Sequence, residues 1–252
     1  MFKQFLASGG LWLESKGTNI LIDPGPGSLL KCLDHKLDPM KLDAILLTHR
    51  HTDHSADINV IIEAMAEGGL KPRGTIYAPP DAYEDDPVIL KYNDTYVERK
   101  VVIQEGQTVE FGSTRMEFPI KHRHTVDTFG VKFSTDKYKL SYIVDTNYFD
   151  ELIPAYSGCD VLMMNMVFNE HRGPKFKHLC FDDAVKLIEG IKPKTAIITH
   201  FGVTVWKAQP WTLAEKLEEQ TGVRTIAALD GMKFELDTGE VEEKGQRSLE
   251  TF

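Results

Sequence analysis

Residues 46–54 read LLTHRHTDH, placing His49, His51, Asp53 and His54 within six positions, directly after an apolar run. The run LDAILLTH (42–49) has the length and composition of a short buried strand. Side chains alternate along an extended segment, so His49 and His51 point the same way and both reach one ion. Asp53 and His54 lie one step further on, where they can serve a second. Imidazole and carboxylate donors without thiolate suit Zn, Mn or Fe. Three of the nine histidines in the chain fall in this stretch, a concentration that an ordinary solvated loop does not have.

Working outward, GLWLES (10–15) and TNILIDPG (18–25) read as two strands joined by a Lys16-Gly17 turn. PGPG (24–27) then breaks the second. After the histidine stretch, Ile58, Ile61, Ile62 and Met65 recur at helical spacing, and Gly68-Gly69 closes that helix. GTIYAP (74–79) is strand-like. Residues 81–98 are polar and irregular, a lid or an interface segment. Strands follow at RKVVIQ, QTVEFG, RMEFPIKH, TFGVKFS and KLSYIVD, with TDK (135–137) turning the last pair. DVLMMNMVF (160–168) is apolar enough for a strand buried on both faces. FDDAVKLIEGI is a helix, KTAIITHFG a strand, and WTLAEKLEEQTG a helix with a Thr212/Glu215 capping box that ends at Gly222. TIAALDGMKFEL reads as a closing strand pair before a polar tail. Two sheets with outer helices account for this order.

Composition sets bounds. The 252 residues have 42% hydrophobic and 27% charged content, ordinary for a soluble globular chain. They are read as one domain, 1–252. A net charge of −9 argues against a partner held by broad phosphate neutralisation, so nucleic acid is not favoured. Cys32, Cys159 and Cys180 are odd in number and form no CxxC, the pattern of free thiols in a reducing compartment. No apolar run approaches the length of a membrane span and no signal-peptide pattern opens the chain. The expectation is a cytoplasmic protein with no membrane partner.

THRHTDH resembles the His-x-His-x-Asp-His signature of the metallo-β-lactamase superfamily, and the flanks are similar too. ILIDPGPG is similar to that family's first motif, which makes Asp23 a residue that orients the histidine loop. Asp before Pro-Gly also fits turn chemistry. KHRHTVDTFGVKF offers His122 and His124 as the third motif. The Gly and strand that follow favour His124, and His122, two residues away, stays an alternative. SYIVDTNY is similar to the fourth motif and AIITHFG to the fifth, adding Asp145 and His200. The resemblance implies an α/β fold built as a four-layer αββα sandwich. It implies two divalent transition-metal ions, with Zn first and Mn or Fe admitted by the donors. One would be held by His49, His51 and His124, the other by Asp53, His54 and His200, with Asp145 shared.

In KHLCFDDAVKLI, His178 precedes a helix, as a similar histidine does in the tRNA 3′-processing ribonuclease Z and phosphodiesterase branch, where it faces the scissile phosphate. A capping role is its other reading. The loop NEHRGPKFK (169–177), with His171, Arg172, Lys175 and Lys177, is the basic cluster nearest the expected site. The chemistry so implied is hydrolysis by a hydroxide generated between two metals, with Asp53 taking a proton and His178 supplying charge or a proton to the leaving oxygen. The interval between His124 and Asp145 has no room for a tRNA-clamping arm. With the acidic charge, this points to a phosphodiesterase acting on a small phosphodiester or nucleotide. A tRNA 3′-processing endoribonuclease and a lactone or thioester hydrolase are the competing readings, and a homodimer is left open.

Overall fold

A computed structural model describes residues 9–84, 86–173 and 175–242. The first sheet runs in the order β1 (Leu11–Ser15), β2 (Thr18–Ile22), β3 (Ala44–Leu46), β4 (Thr75–Ala78) and β5 (Arg99–Val102). The β1–β2 hairpin is antiparallel, and the remaining pairs are parallel. The second sheet contains β6 (Gln107–Phe111), β7 (Thr114–Phe118), β8 (Val131–Ser134), β9 (Lys139–Ile143), β10 (Val161–Phe168), β11 (Leu179–Cys180), β12 (Thr195–Thr199) and β13 (Arg224–Ala227). Its order is β13-β12-β10-β9-β8-β7-β6, with β11 also on β10. Strands β6 to β9 form an antiparallel meander, and β9, β10, β12 and β13 are parallel.

Helices cover the outer faces. They are α1 (Ser28–Asp34), α2 (Thr52–Ser55) and α3 (Ile58–Met65), then α4 (Leu152–Tyr156), α5 (Phe181–Ile191), α6 (Val203–Lys207) and α7 (Pro210–Thr221). Strand alternation assigns each apolar residue to a layer. Ile20, Ile22, Ala44, Leu46, Met163 and Ile197 meet between the sheets. Leu21, Ile45 and Leu47 face away, against Ile58, Ile61, Ile62 and Met65 of α3. Leu162, Met164, Ala196 and Ile198 face Leu187 and Ile188 of α5 and Leu213 and Leu217 of α7. Three apolar layers between four structural ones are the αββα sandwich. They explain why β3, β10 and β12 read as continuous rather than alternating apolar runs.

Two local expectations are corrected. Helix α7 starts at Pro210, with Gln209 as its cap, so Thr212 and Glu215 lie inside the first turns and form no capping box. Proline at the first helical position gives up no hydrogen bond there. TIAALDGMKFEL is not a strand pair. β13 joins β12 in parallel, whereas β14 (Lys233–Phe234) pairs with β15 (Val241–Glu242), inside the segment read as a polar tail. Part of the segment read as a lid or an interface, residues 88–93, packs on α3. Asn59 donates to Val88 O, accepts from Leu90 N at 2.9 Å and bonds the Asn93 amide, and Ile89 is buried.

Candidate metal centre

The expected site residues gather at one edge of the sandwich, beyond the carboxyl ends of β2, β3, β9 and β12, where open α/β sheets bind ligands. Asp23 follows β2. His49 and His51 lie in the turn from β3 into α2, and Asp53 and His54 lie in α2 itself. His124 sits in the β7–β8 connection, Asp145 follows β9, His178 precedes β11, and His200 follows β12. Among the described residues, the donor atoms of His49, His51 and His124 lie within 4.8 Å of one another, as do those of Asp53, His54 and His200. His124, Asp145 and His178 form a further such group.

Each anchored ring keeps one nitrogen for the interior of the cluster. Asp23 accepts from Thr48 N and Thr48 Oγ1, both at 2.7 Å, and from His54 Nδ1 at 2.9 Å. Thr48 Oγ1 has spent its proton on Asp23, so it accepts from His49 Nδ1 at 3.0 Å. His124 Nδ1 donates to Lys177 O at 3.0 Å. With these tautomers set, His49, His54 and His124 all turn Nε2 inward. His51 instead turns Nδ1, which lies 3.1 Å from His124 Nε2, and its Nε2 meets Thr125 Oγ1. His54 Nε2 is 3.2 Å from His200 Nε2. Fixing one imidazole nitrogen so that the other is presented is what metal-binding histidines require.

The electrostatics of the cluster point the same way. His49 Nε2 is fully buried and has no hydrogen-bond partner. Burial, then the neighbouring His54, holds the His49 pKa well below its ordinary 6.5. Burial likewise lowers His51 and brings His124 to about 4. For His54 burial is outweighed by the Asp23 and Asp145 carboxylates, and its pKa is raised. Burial opposes ionisation of Asp145, yet His200, His178 and His54 together hold its pKa well below the carboxylate range. Asp145 Oδ2 lies 3.5 to 4.0 Å from nitrogens of His49, His54, His124, His178 and His200. Imidazole nitrogens converging on one buried carboxylate oxygen suit divalent transition-metal ions.

His122 and His124 separate cleanly. His122 is buried on the far side, its Nε2 2.8 Å from Tyr156 Oη, and burial lowers its pKa to about 3. Gly130, the glycine of the third motif, is needed there because a Cβ would strike Tyr156 Oη and the Tyr142 carbonyl. Lys177 of the basic loop donates to His124 O at 3.1 Å, and Arg172 lies over the Phe168 ring. Both therefore brace the site's wall. Cys180 is buried and caps α5 against Asp183, with its thiol raised to about 11.

Thr48, Tyr142 and Asn165 were not anticipated. Asn165 had a legible signal, being the one amide inside the apolar run VLMMNMVF. A buried amide needs partners. Asp23 and His200 both hold left-handed backbone, at φ 52° and 58°, the strain that collects at functional sites.

The chain as a whole is similar to known proteins. The sequence model of the family described as Beta-lactamase superfamily domain matches residues 18–201, a span from before Asp23 to just past His200. An uncharacterized protein of Methanocaldococcus jannaschii is 32% identical over 243 residues, 92% of this chain and 89% of that one. The probable metallo-hydrolase YhfI of Bacillus subtilis is 26% identical over 204 residues, 78% of this chain and 82% of its own. The crystal structure of YhfI, described as a metallo-beta-lactamase fold protein, superposes with a TM-score of 0.78 at 21% identity, covering 95% of this chain and 93% of that one. A diphosphatase from the PhnP family shares the fold with a TM-score of 0.67 at 21% identity, over 89% and 82% of the two chains.

Proposed function

This chain belongs to the beta-lactamase superfamily, and on that footing we propose that it is a metal-dependent hydrolase, specifically a phosphodiesterase acting on small phosphodiester or nucleotide substrates. The observation that carries the reading is the gathering of six side chains in two sets of three, with Asp145 Oδ2 within 4.0 Å of histidine nitrogens from both sets and His178 beside them. His49, His51 and His124 would hold one ion, Asp53, His54 and His200 the other, and Asp145 both. Bound there, two divalent ions would supply a water of lowered pKa and neutralise charge on phosphoryl oxygens.

The protein's own groups do the rest. Asp53, whose Oδ2 lies 3.7 Å from His200 Nε2, is a third exposed, and takes the proton released by the attacking water. His178, a quarter exposed, has its ring against His124 and Phe168 and its Nδ1 3.5 Å from Asp145 Oδ2. It stabilises charge on the departing oxygen or gives it a proton. Asp23 and Thr48 keep the histidine loop in register. The size of the substrate follows from the connection between His124 and Asp145, which is filled by the β8–β9 hairpin, and from the net charge of −9. Support for phosphoryl rather than acyl chemistry comes from the diphosphatase that shares the fold.

The test is a panel of bis-aryl phosphodiester, pre-tRNA, thioester and lactone with metal-replete protein. Turnover of the phosphodiester is expected. Hydrolysis of the thioester or lactone alone would overturn the assignment, and cleavage of pre-tRNA alone would move it to the endoribonucleases. Asp145→Ala should abolish that turnover and lower metal content, and retention of both would remove Asp145 from the shared position.

A further inference from the structure

The side chain of Asp145 is held from behind by a directional pair of hydrogen bonds. Asn165 Nδ2 lies 2.8 Å from Asp145 Oδ1, and Tyr142 Oη lies 2.9 Å from Asn165 Oδ1. All three residues are buried. An ionised carboxylate only accepts hydrogen bonds, so the amide nitrogen must face Asp145. The amide oxygen then faces Tyr142 and can only accept, so the phenol must donate. The polarity of the chain is therefore fixed, running from Tyr142 through Asn165 to Asp145. Burial, reinforced by Asp23 and Asp145, holds the Tyr142 phenol well above its ordinary value, so the donor keeps its proton.

The consequence lies at the other carboxylate oxygen. Oδ1 is tied to Asn165, and Oδ2 alone faces the five histidine nitrogens within 4.0 Å. Layer geometry explains how Asn165 reaches this point. Val161 and Met163 of β10 face the space between the sheets, and alternation puts Asn165 on that same face, at its site end. Leucine or methionine there would continue the apolar core. The sequence instead buries an amide, which is costly unless both its ends are matched, and here both are.

We propose that Asn165, oriented by Tyr142, is a positioning residue that locks the Asp145 carboxylate so that Oδ2 is the one oxygen offered to both metal ions. This rests on the two-ion reading above. It adds a residue that makes no contact with the ions and sets how they are shared.

The experiment titrates metal-stripped protein with Zn²⁺ by calorimetry and records the EPR spectrum of the Mn²⁺-loaded form. Wild type, Asn165→Leu and Tyr142→Phe are compared, with circular dichroism of the stripped proteins to establish folding. Asn165→Leu should bind at least one of the two ions about 10–100-fold more weakly and lose the signature of coupled Mn²⁺ ions. Tyr142→Phe removes only the orienting donor and should shift the same parameters in the same direction by a smaller factor, without unfolding. Adding Tyr142→Phe to Asn165→Leu should cost no further affinity, since the two act through one chain of bonds. Wild-type affinity, two-ion stoichiometry and Mn²⁺ coupling in both single variants would overturn the proposal. Failure of the wild-type protein to take up two ions would instead overturn the two-ion reading.

Discussion

Two histidines two positions apart show what spacing alone decides. Alternation along a strand would place His122 and His124 on one face. The chain leaves extended conformation at 123–126, so His122 turns to Tyr156 and His124 turns to His51. The downstream glycine belongs to the packing around His122, where a Cβ on Gly130 would strike Tyr156 Oη and His122 itself. His124→Ala is expected to lose about one ion per chain by metal analysis, while His122→Ala keeps both and loses thermal stability. The reverse pattern would exchange their roles. Asp23 was legible in two ways that prove compatible, since it occupies a left-handed turn position and its carboxylate also anchors Thr48 and His54. His178 is the residue that sequence order could least define, because its Nδ1 is close enough to Asp145 and His124 to join a metal-binding group. His178→Ala should lower kcat by about 100-fold or more with metal content unchanged, the range for loss of a proton donor. Loss of an ion from that variant would reassign His178 as a ligand.

At the level of elements, long apolar segments were readable and short ones were not. β3, β10, β12, α3 and α5 announce themselves because both periodicity and burial act over the whole segment. α1, α4 and α6 have seven, five and five residues, too few for a helical period to stand out, and tertiary contacts hold them. β14 and β15 pair over two residues each and leave no pattern at all. The fifth motif, THFG, draws its glycine from packing between elements rather than from backbone freedom. Gly202 has φ −71°, open to any residue, but a Cβ there would strike the Val167 carbonyl of β10. Its N–H also bonds that carbonyl at 3.1 Å. Gly202→Ala must therefore push α6 and His200 away from β10. The expected cost is about 1–3 kcal/mol, as for other overpacked positions, or roughly 2–10 °C in Tm for a chain of this size. Weaker binding of the ion assigned to Asp53, His54 and His200 should accompany it. An unchanged Tm measured by calorimetry would show that the sheet edge yields freely.

Over the whole molecule, the centre couples folding, metal and protons. In the metal-free protein His49, His51 and His124 are held below 6.5 and His54 above it. For the first three, the unfolded chain binds more protons than the folded one as pH falls from 6.5, reaching about 4 for His124, so stability is lost on acidification. For His54 the folded chain binds the extra proton, so its contribution is full below 6.5 and is lost as pH rises through its raised folded value. These groups thus give metal-free protein a stability maximum near pH 6.5. Between pH 6.5 and 8, metal binding acts on the alkaline limb. The lowered histidines are already neutral at pH 7 and Asp145 is already ionised, so the proton on His54 is the one these groups must surrender. Calorimetric titration at pH 7 in buffers of different ionisation enthalpy should report about one proton released from this set, and affinity should rise by up to about tenfold per pH unit. Ions at about 100 times their Kd would add roughly 2.7 kcal/mol per site, so the gap in Tm between loaded and EDTA-treated protein should widen from pH 6.5 to 8. A gap that stays constant or narrows over that range would mean that His54 carries no displaceable proton, and the ion assigned to it would need another ligand.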